Sequence, residues 1–380
     1  MPQRTEDQLA LAEAVRAFCE ETIAPLVEED DEHEVFRPEL IQAMGEQGFC
    51  GVPTPEEYGG LGLGYADYCV VLEEIARVSA SYAVSVAVTG LPQVILAQFG
   101  TEAQKQAWLP GLAAGELLGA FALSEPDSGS DAASLKTTAV RDGDEWVLNG
   151  TKFWITHGGV ADIYIVMART GGEGARGVSA FIVPGTAAGL SFGKKEKKMG
   201  LRGSPTVEII LDNVRVPHTD MVAAEGEGFI VAMTALDSGR ITIAASAVGL
   251  AQAALDCAGP YALERKQFGK PIIRFQGVGF MLADMACQIT TARLLVMEAA
   301  TLKDAGESFS ETAAMAKVVA TDAAMAVTTD AVQVLGGYGY CKEYPVERYM
   351  RDAKVMQIVE GTNQIQRLVI SRHIGRRYGS

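Results

Sequence analysis

Glu360 is the side chain in this sequence whose surroundings best suit a catalytic base. A mostly apolar stretch, residues 356–359, leads directly into Glu360, and Gly361 follows it. An amphipathic helix is predicted just beyond this glycine. Burial would raise the pKa of the carboxyl, whereas the helix N-terminus would lower it. The segment therefore fits a base that changes protonation state near neutral pH, and the alternative is an acid favoured by the dipole of the following helix.

Two further segments carry side chains and backbone groups that suit a polar or aromatic ligand. Residues 121–131 gather hydroxyls and backbone N–H groups in a loop held by Pro126 and Gly129. Such a loop can hold the polar edge of a ligand, and an ordinary Asx or Ser turn has the same composition. Trp154 and Thr156 end a predicted strand, where they offer an aromatic face and a hydroxyl. A core tryptophan with a turn threonine is the alternative.

Charged residues in the second half of the chain allow two interpretations each. Arg265 follows a long helical run, and its guanidinium fork suits a phosphate, although a solvated basic helix end would look the same. Asp237 and Arg240 stand at i and i+3 of a predicted helix. Such pairs are usually surface ion pairs of small energetic value. Only the surrounding structure can give them a larger role.

The remaining polar residues do not form metal or hydrolase motifs. The four histidines have no metal-ligand or nucleophile spacing, there is no G-x-S-x-G elbow, and the six cysteines are scattered without a C-x-x-C pair. The glycine clusters at 59–64 and 336–339 lack the strand-turn-helix context of a phosphate-binding fingerprint. We therefore predict no metal site and no disulfide framework.

The composition is that of an acidic globular protein. The chain has 380 residues, 48% of them apolar and 21% charged, with 32 Lys and Arg against 48 Asp and Glu, a net charge of −16. This charge disfavours nucleic acid and anionic membrane surfaces as partners, because both select basic proteins. The N-terminus is acidic and has no apolar signal segment, so a cytoplasmic location is predicted.

The hydrophobic pattern of the sequence changes twice along the chain, which predicts three domains. Residues 1–118 show helical periodicity, residues 119–232 contain short β-rich runs, and residues 233–380 are again helical. We expect capping boxes at Thr5 with Gln8, Thr101 with Gln104, and Ser308 with Glu311. Turns are expected at Asp142-Gly143 and Asn149-Gly150. The uncharged stretch 78–101 is expected to form two buried helices broken at Gly90-Leu91-Pro92, and hence no membrane span.

Taken together, five ordered segments resemble the acyl-CoA dehydrogenase family, and the resemblance covers nearly the whole chain. They are Ala122-Leu123-Ser124-Glu125-Pro126 with Gly129-Ser130-Asp131, Trp154-Ile155-Thr156, Glu264 to Lys270, Gln333 to Gly337, and Glu360-Gly361-Thr362 with Ile365-Gln366. The resemblance implies an α+β multidomain fold with an N-terminal α-helical domain, a middle antiparallel β-barrel-like domain and a C-terminal four-helix bundle. It also implies a homotetramer in which FAD lies across a subunit interface.

The resemblance assigns cofactor and substrate roles to particular residues. FAD would be held by residues of the β domain, of the bundle and of a neighbouring subunit. These are Phe121, Leu123, Ser124, Gly129, Ser130, Trp154, Thr156, Arg265, Phe268, Gln276, Gln333, Gly336, Gly337, Thr362 and Gln364. The acyl-CoA substrate would be contacted by Ser130, Asp237, Arg240, Gly361 and Arg372.

The implied reaction is α,β-dehydrogenation of an acyl-CoA thioester to the trans-2-enoyl-CoA. Glu360 matches the base that removes the α-proton while the β-hydrogen leaves as hydride to flavin N5. The implied electron acceptor is an electron-transferring flavoprotein. An oxidase, a dehydrogenase of carrier-protein thioesters and a binding protein that lost the chemistry are the alternatives on the same scaffold.

Departures from the family pattern bear on the substrate. Val359 stands where tyrosine is usual, which leaves a roomier pocket beside Glu360. Gly239 precedes Arg240 where branched-chain members that place the base on an earlier helix have a carboxylate, so Glu360 is expected to be the only base. No arginine occurs between Arg77 and Arg141, which disfavours a dicarboxylic substrate. A short or branched acyl chain is therefore expected.

Overall fold

The computed structural model describes residues 4–379 of the chain. Helices occupy both ends of the sequence, as its helical periodicity predicts. The helices are α1 (Glu6–Phe18), α2 (Val27–His33), α3 (Pro38–Glu46), α4 (Tyr65–Val78), α5 (Ala80–Phe99), α6 (Glu102–Ala113), α7 (Gly228–Glu264), α8 (Gln276–Asp304), α9 (Ser310–Leu335), α10 (Val346–Met356) and α11 (Asn363–Tyr378).

Strands fill the middle of the chain and form one eight-stranded sheet. They are β1 (Gly119–Ala122), β2 (Thr138–Asp142), β3 (Glu145–Thr156), β4 (Ile163–Arg169), β5 (Val178–Pro184), β6 (Leu190–Phe192), β7 (Thr206–Pro217) and β8 (Met221–Val222). The order is β6-β7-β3-β2-β4-β5-β8, with β1 beside β4. Two short strands, β9 (Lys266–Gln267) and β10 (Lys270–Pro271), form a separate hairpin.

Most strand pairs in the sheet are antiparallel, as predicted, and two are parallel. One expected turn is replaced by a continuous strand. β1 and β4 run parallel, and β2 also meets β4 in a parallel bridge. The Asp142-Gly143 turn is present, because Asp142 pairs with Glu145 across a two-residue loop. The turn expected at Asn149-Gly150 is wrong. Gly150 instead lies at a β-bulge within the continuous strand β3, where the register against β7 shifts.

The first helices confirm two of the capping predictions. The Thr5 hydroxyl accepts a hydrogen bond from the Gln8 N–H while the Gln8 side chain accepts from the Thr5 N–H, and Thr101 and Gln104 form the same reciprocal pair. These boxes satisfy backbone donors that a helix start leaves unpaired. The third prediction is wrong, because α9 begins at Ser310 and Phe309 occupies its N-cap position.

Helix α5 corrects the expectation of two helices in the uncharged stretch. It runs unbroken for 20 residues with Pro92 inside it. A proline in a helix interior costs about 3 kcal/mol, and burial of apolar side chains on nearly every face of α5 offsets that cost. Within residues 4–379, four helical segments are long and apolar enough to cross a membrane by length and composition alone. In α5, 89% of the most apolar window is buried inside the protein.

Long-range packing joins the two helical regions to each other and to the sheet. Helix α7 contacts α4, α5, α8 and α9, and α10 and α11 pack against α9. Strand β4 is buried on both faces, with Tyr164, Val166 and Ala168 in one hydrophobic cluster and Ile163, Ile165 and Met167 in another. Strand β1 begins at Gly119, and the predicted domain boundary at 232/233 falls inside α7. The larger hydrophobic cluster contains residues of all three predicted domains, so these domains share one core.

Candidate functional site

Glu360 lies in the short loop between α10 and α11, in an unusual backbone conformation. Its φ is +54° and that of Gly361 is +83°, so both residues are in the left-handed region. A left-handed backbone is strained for glutamate, and such strain persists only where the surroundings hold it. Two hydrogen bonds from the Gln366 side chain do so, to the carbonyls of Glu360 (3.0 Å) and Gly361 (2.8 Å).

The Glu360 carboxylate is enclosed by helices α7 and α9. Its Oε2 atom is buried and has no hydrogen-bond partner among residues 4–379. The carboxylate lies against Gly239 of α7, where a Cβ would come within 2.5 Å of Oε2. Burial raises the pKa of Glu360 to about 7, and the positive charges of Arg240 and Lys317 oppose the rise. A carboxyl with these properties can exchange a proton near neutral pH.

Arg240 and Asp237 form an ion pair on α7, but the pair does not lie on the surface. The Arg240 side chain is only 5% exposed, and its Nε has no partner among residues 4–379. The alternative of a surface ion pair is therefore wrong, because α7 is buried over most of its length. The positive charge of Arg240 instead acts on the Glu360 carboxyl and opposes the rise of its pKa.

The residues after Glu360 are divided between structural and exposed positions. The Thr362 hydroxyl caps α11 by accepting from the Ile365 N–H. Gln364 and Arg372 are exposed on α11. Lys317 of α9, which is fully buried, donates to the Gly361 carbonyl (3.0 Å) and to the Asn363 side chain (2.8 Å). Side chains from α9 and α11 thus fix the loop that carries Glu360.

A buried ion pair fixes the loop of residues 121–131. The Lys152 ammonium, on β3, donates to the Leu123 carbonyl (3.0 Å) and to the Glu125 carboxylate (2.8 Å). That carboxylate also accepts from the backbone N–H groups of Lys136 (2.6 Å) and Thr137 (2.9 Å). Burial lowers the pKa of Lys152 to about 8, and Glu125 opposes the change. The loop is therefore anchored from within, while Gly129 and Ser130 stay exposed.

A second bulge in β3 presents Trp154 to the outside. The register against β7 shifts between Lys152 and Ile155, and Trp154 adopts a φ of +63°. The Phe153 N–H then bonds to the Ser124 carbonyl at 2.8 Å. Trp154 is 61% exposed, so the alternative of a core tryptophan is wrong. The bulge brings an exposed indole to the strand end that is hydrogen-bonded to the Ser124 loop, with Thr156 two residues further on.

A cavity of about 560 Å³ lies between the end of α7 and the end of α9. Arg265, Gly336, Gly337 and Tyr338 are among its lining residues. The Arg265 guanidinium sits over the Tyr338 ring at 5.6 Å from the ring centre. Apart from the adjacent chain positions, no atom of residues 4–379 lies within 4 Å of the position a Cβ would take on either glycine, so the backbone there is open to a ligand.

The other residues predicted to contact a neighbouring subunit's cofactor are exposed. Phe268, 92% exposed, occupies the two-residue turn of the β9-β10 hairpin together with Gly269. Gln276 begins α8, and Gln333 is exposed near the end of α9. Among residues 4–379, no hydrogen bond or ion pair joins Arg265, Phe268 or Gln276 to Glu360 or to the loop 121–131. Within a single chain, Arg265, Phe268 and Gln276 are thus separate from Glu360 and from the loop of residues 121–131.

Four residues that shape these sites were not singled out in the sequence as structural contacts. Lys152 and Lys317 are cations with fully buried side chains, and Gln366 is a buried amide on α11. Their sequence signal is a polar residue at a position where the periodicity predicts a core side chain. Gly239 gave no such signal, because its importance comes from a close approach to a residue far along the chain.

Comparison with known proteins gives matches along nearly the whole chain. Residues 5–116, 120–214 and 226–375 match the N-terminal, middle and C-terminal domain models of acyl-CoA dehydrogenase. The short-chain specific acyl-CoA dehydrogenase of Clostridium acetobutylicum is 46% identical over 98% of this chain and 99% of its own length.

Two solved structures share the fold and much of the sequence. Butyryl-CoA dehydrogenase from Megasphaera elsdenii is 45% identical, with a TM-score of 0.96 over 98% of this chain and 99% of that one. A chain from a structural study of the electron transferring flavoprotein of Acidaminococcus fermentans is 47% identical, with a TM-score of 0.96 over 99% of this chain and 100% of that one. With three domain models and these identities, the chain belongs to the acyl-CoA dehydrogenase family of flavin-dependent oxidoreductases.

Proposed function

We propose that this protein catalyses the FAD-dependent α,β-dehydrogenation of a short or branched acyl-CoA thioester to the trans-2-enoyl-CoA, with Glu360 as the base. The observation that carries the proposal is the state of the Glu360 carboxylate. Glu360 as a whole is half-buried, but its Oε2 atom is buried and has no partner among residues 4–379, and burial raises its pKa to about 7. Such a group can take a proton from a bound substrate and later release it.

The surroundings of Glu360 suit proton removal next to a thioester carbonyl. The left-handed backbone at Glu360 and Gly361 is held by Gln366, whose Nε2 would lie 2.8 Å from a Cβ on Gly361, so glycine suits this position. A donor such as the Glu360 N–H can then stabilise negative charge that develops on the thioester oxygen. The positive charge of the buried Arg240 lowers the pKa of the Glu360 carboxyl and so favours its ionised form. This chain's own residues thus bind, orient and deprotonate the substrate.

The residues present fit FAD at two places. Arg265, with the open glycines 336 and 337, offers a guanidinium and bare backbone for phosphates. Exposed Trp154 and the Ser124 loop offer an aromatic face and polar donors for the ring system. When bound, FAD would accept the hydride that leaves the β-carbon. Among residues 4–379 no cluster of His, Cys, Asp and Glu suited to a metal ion is present.

The descriptions of two relatives support a short acyl chain, and exposed aromatic residues support a multimeric enzyme. The relatives named above are described as short-chain specific and as a butyryl-CoA dehydrogenase. Phe268 and Tyr340 are large aromatic residues that are almost fully exposed, which is typical of surfaces covered by another subunit. We propose a homotetramer in which Arg265, Phe268 and Gln276 reach a neighbour's cofactor, with an electron-transferring flavoprotein as electron acceptor.

An anaerobic substrate titration tests the proposed function. The purified flavoprotein is mixed with butyryl-, isobutyryl-, octanoyl- or palmitoyl-CoA while the visible flavin absorbance is followed. We expect stoichiometric bleaching by butyryl- or isobutyryl-CoA and weaker bleaching by the longer chains. Bound flavin that none of the four bleaches would overturn the proposal. Hydrogen peroxide produced at the rate of substrate loss in air would identify an oxidase instead.

Replacing Arg265 tests the proposed phosphate contact. We expect Arg265→Ala to weaken FAD binding roughly tenfold to a hundredfold, because a charged hydrogen-bond pair contributes about 1.5–3 kcal/mol. The measurement is the flavin-to-protein absorbance ratio after gel filtration at increasing dilution. Lys266→Ala removes the adjacent exposed cation and is the control. Equal flavin retention by both variants would remove Arg265 from the FAD site.

A further inference from the structure

Lys317 is a buried cation that holds the loop carrying Glu360. It lies on α9, its side chain is fully inaccessible, and its ammonium donates to the Gly361 carbonyl (3.0 Å) and to Asn363 Oδ1 (2.8 Å). Asn363 is itself fixed by hydrogen bonds with Thr321 and Asp322. The ammonium thus joins α9 to the backbone carbonyl of Gly361, the residue after Glu360. A lysine placed so deeply must have a reason other than solubility, because burying an ammonium is costly.

The charge of Lys317 has no carboxylate in direct contact. Among residues 4–379 no Asp or Glu oxygen lies within 4.0 Å of its Nζ. Burial lowers the pKa of Lys317 to about 7. The negative charges of Glu360 and then Asp322 oppose this change, and Arg240 adds to it. Glu360 is therefore the main compensating charge for this buried ammonium.

The neighbouring charged groups are already paired with other residues. Arg240, on α7, has Asp237 as its partner. Asp322, on α9, is paired with Arg367 of α11 and accepts from Gln357 and Asn363. Among the charged groups around the Glu360 loop in residues 4–379, Lys317 and Glu360 have no ion-pair partner within 4.0 Å. Each of these two charges favours the charged form of the other.

We propose that Lys317 is a positioning residue for the base: its ammonium fixes the Gly361 carbonyl, and its charge favours the ionised Glu360 carboxylate. The inference deepens the proposed function and rests on Glu360 being the base. Since the attraction between two charges grows as water is excluded, a bound acyl chain would strengthen it. Lys317 would then keep the carboxylate ready to accept a proton when the site is closed.

The pH dependence of flavin reduction tests this role. In the wild-type enzyme the rate should rise with pH through about 7, because the base acts only when ionised. Lys317→Met keeps the side-chain volume and removes the charge. We expect the acidic limb of its pH–rate profile to move up by about one pH unit, which lowers the rate of flavin reduction about fivefold at pH 7. Lys317→Gln keeps a donor for the Gly361 carbonyl and should show the same shift.

Gln366→Met is the matched control for loosening the loop without a charge change. Gln366 is fully buried and holds the carbonyls of Glu360 and Gly361, as Lys317 holds the latter. We expect this variant to reduce the rate at every pH and to leave the acidic limb where it is. A limb that moves in Gln366→Met as far as in Lys317→Met would show that loop position alone sets the pKa, and the charge role would be overturned.

An infrared titration checks the same pKa without substrate. The band of protonated Glu360 is the carboxyl absorption that the wild type shows and Glu360→Gln lacks, and it should disappear with a midpoint near pH 7. Lys317→Met should move the midpoint upward with the kinetic limb. This shift can be seen even if no acyl-CoA bleaches the flavin, so it separates the inference from the proposed function. Midpoints within about 0.3 pH units of wild type, or failure of both Lys317 variants to form soluble flavoprotein, would overturn the proposal.

Discussion

Glu360→Gln should retain FAD and lose reduction of the flavin by acyl-CoA by a factor of at least about 10³. The amide has nearly the shape of the carboxylate but cannot accept the α-proton. Because Oε2 has no hydrogen-bond partner among residues 4–379, the replacement breaks no hydrogen bond of that atom. Stopped-flow bleaching with butyryl-CoA gives the rate, and the absorbance ratio gives the flavin content.

Glu343→Gln is a suitable control for this variant. Glu343 is an exposed carboxylate in the segment between α9 and α10, so its replacement makes the same change in charge away from the site. We expect it to leave the bleaching rate unchanged. If Glu360→Gln bleaches as fast as Glu343→Gln, another group removes the proton, and Glu360 has no catalytic role.

Lys152→Met should destabilise the protein by about 3 kcal/mol, the effect of leaving one partner of a buried ion pair unpaired. The Lys152 ammonium is fully buried and bonds to both Leu123 and Glu125. Its loss leaves the Glu125 carboxylate with two backbone N–H donors and no cation. For this chain we expect a fall in the thermal midpoint of roughly 5 °C. The loop at Ser124 should also bind FAD more weakly.

Lys136→Met separates this effect from the loss of any lysine near the loop. The Lys136 side chain pairs with Asp127 at 3.2 Å, but both side chains are more than three-quarters exposed. Exposed pairs contribute little, so the midpoint should change by less than about one degree. Differential scanning fluorimetry on both flavoproteins gives the comparison. Equal midpoints for the two variants would mean that the buried pair does not stabilise the loop.

Local patterns predicted the elements that depend on neighbouring residues. The capping boxes at Thr5 and Thr101 form as expected, since both partners lie within one helical turn. The two-residue loop after Asp142 also forms, because a glycine in it can take positive φ. The same reasoning failed at Ser308 and at Asn149-Gly150. There, helix packing and pairing with β7 outweigh weak local preferences.

Helix α5 shows how tertiary burial overrides a local signal. Gly90 and Pro92 both disfavour a continuous helix, yet α5 runs through them. The helix contacts α4, α6, α7 and β1, and apolar surface buried on all sides supplies the compensating free energy. No window of sequence contains those partners.

By itself the sequence determined the order of helical, β and helical regions and the segment in which Glu360 lies, because periodicity and glycine placement are local properties. The resemblance carried by five segments determined the family that the comparisons confirm. The tertiary structure alone decided the state of the site. Gly239, Arg240 and Lys317 reach Glu360 from α7 and α9, and a pKa depends on burial and on charges brought together by packing. Those distances exist only once the helices are assembled.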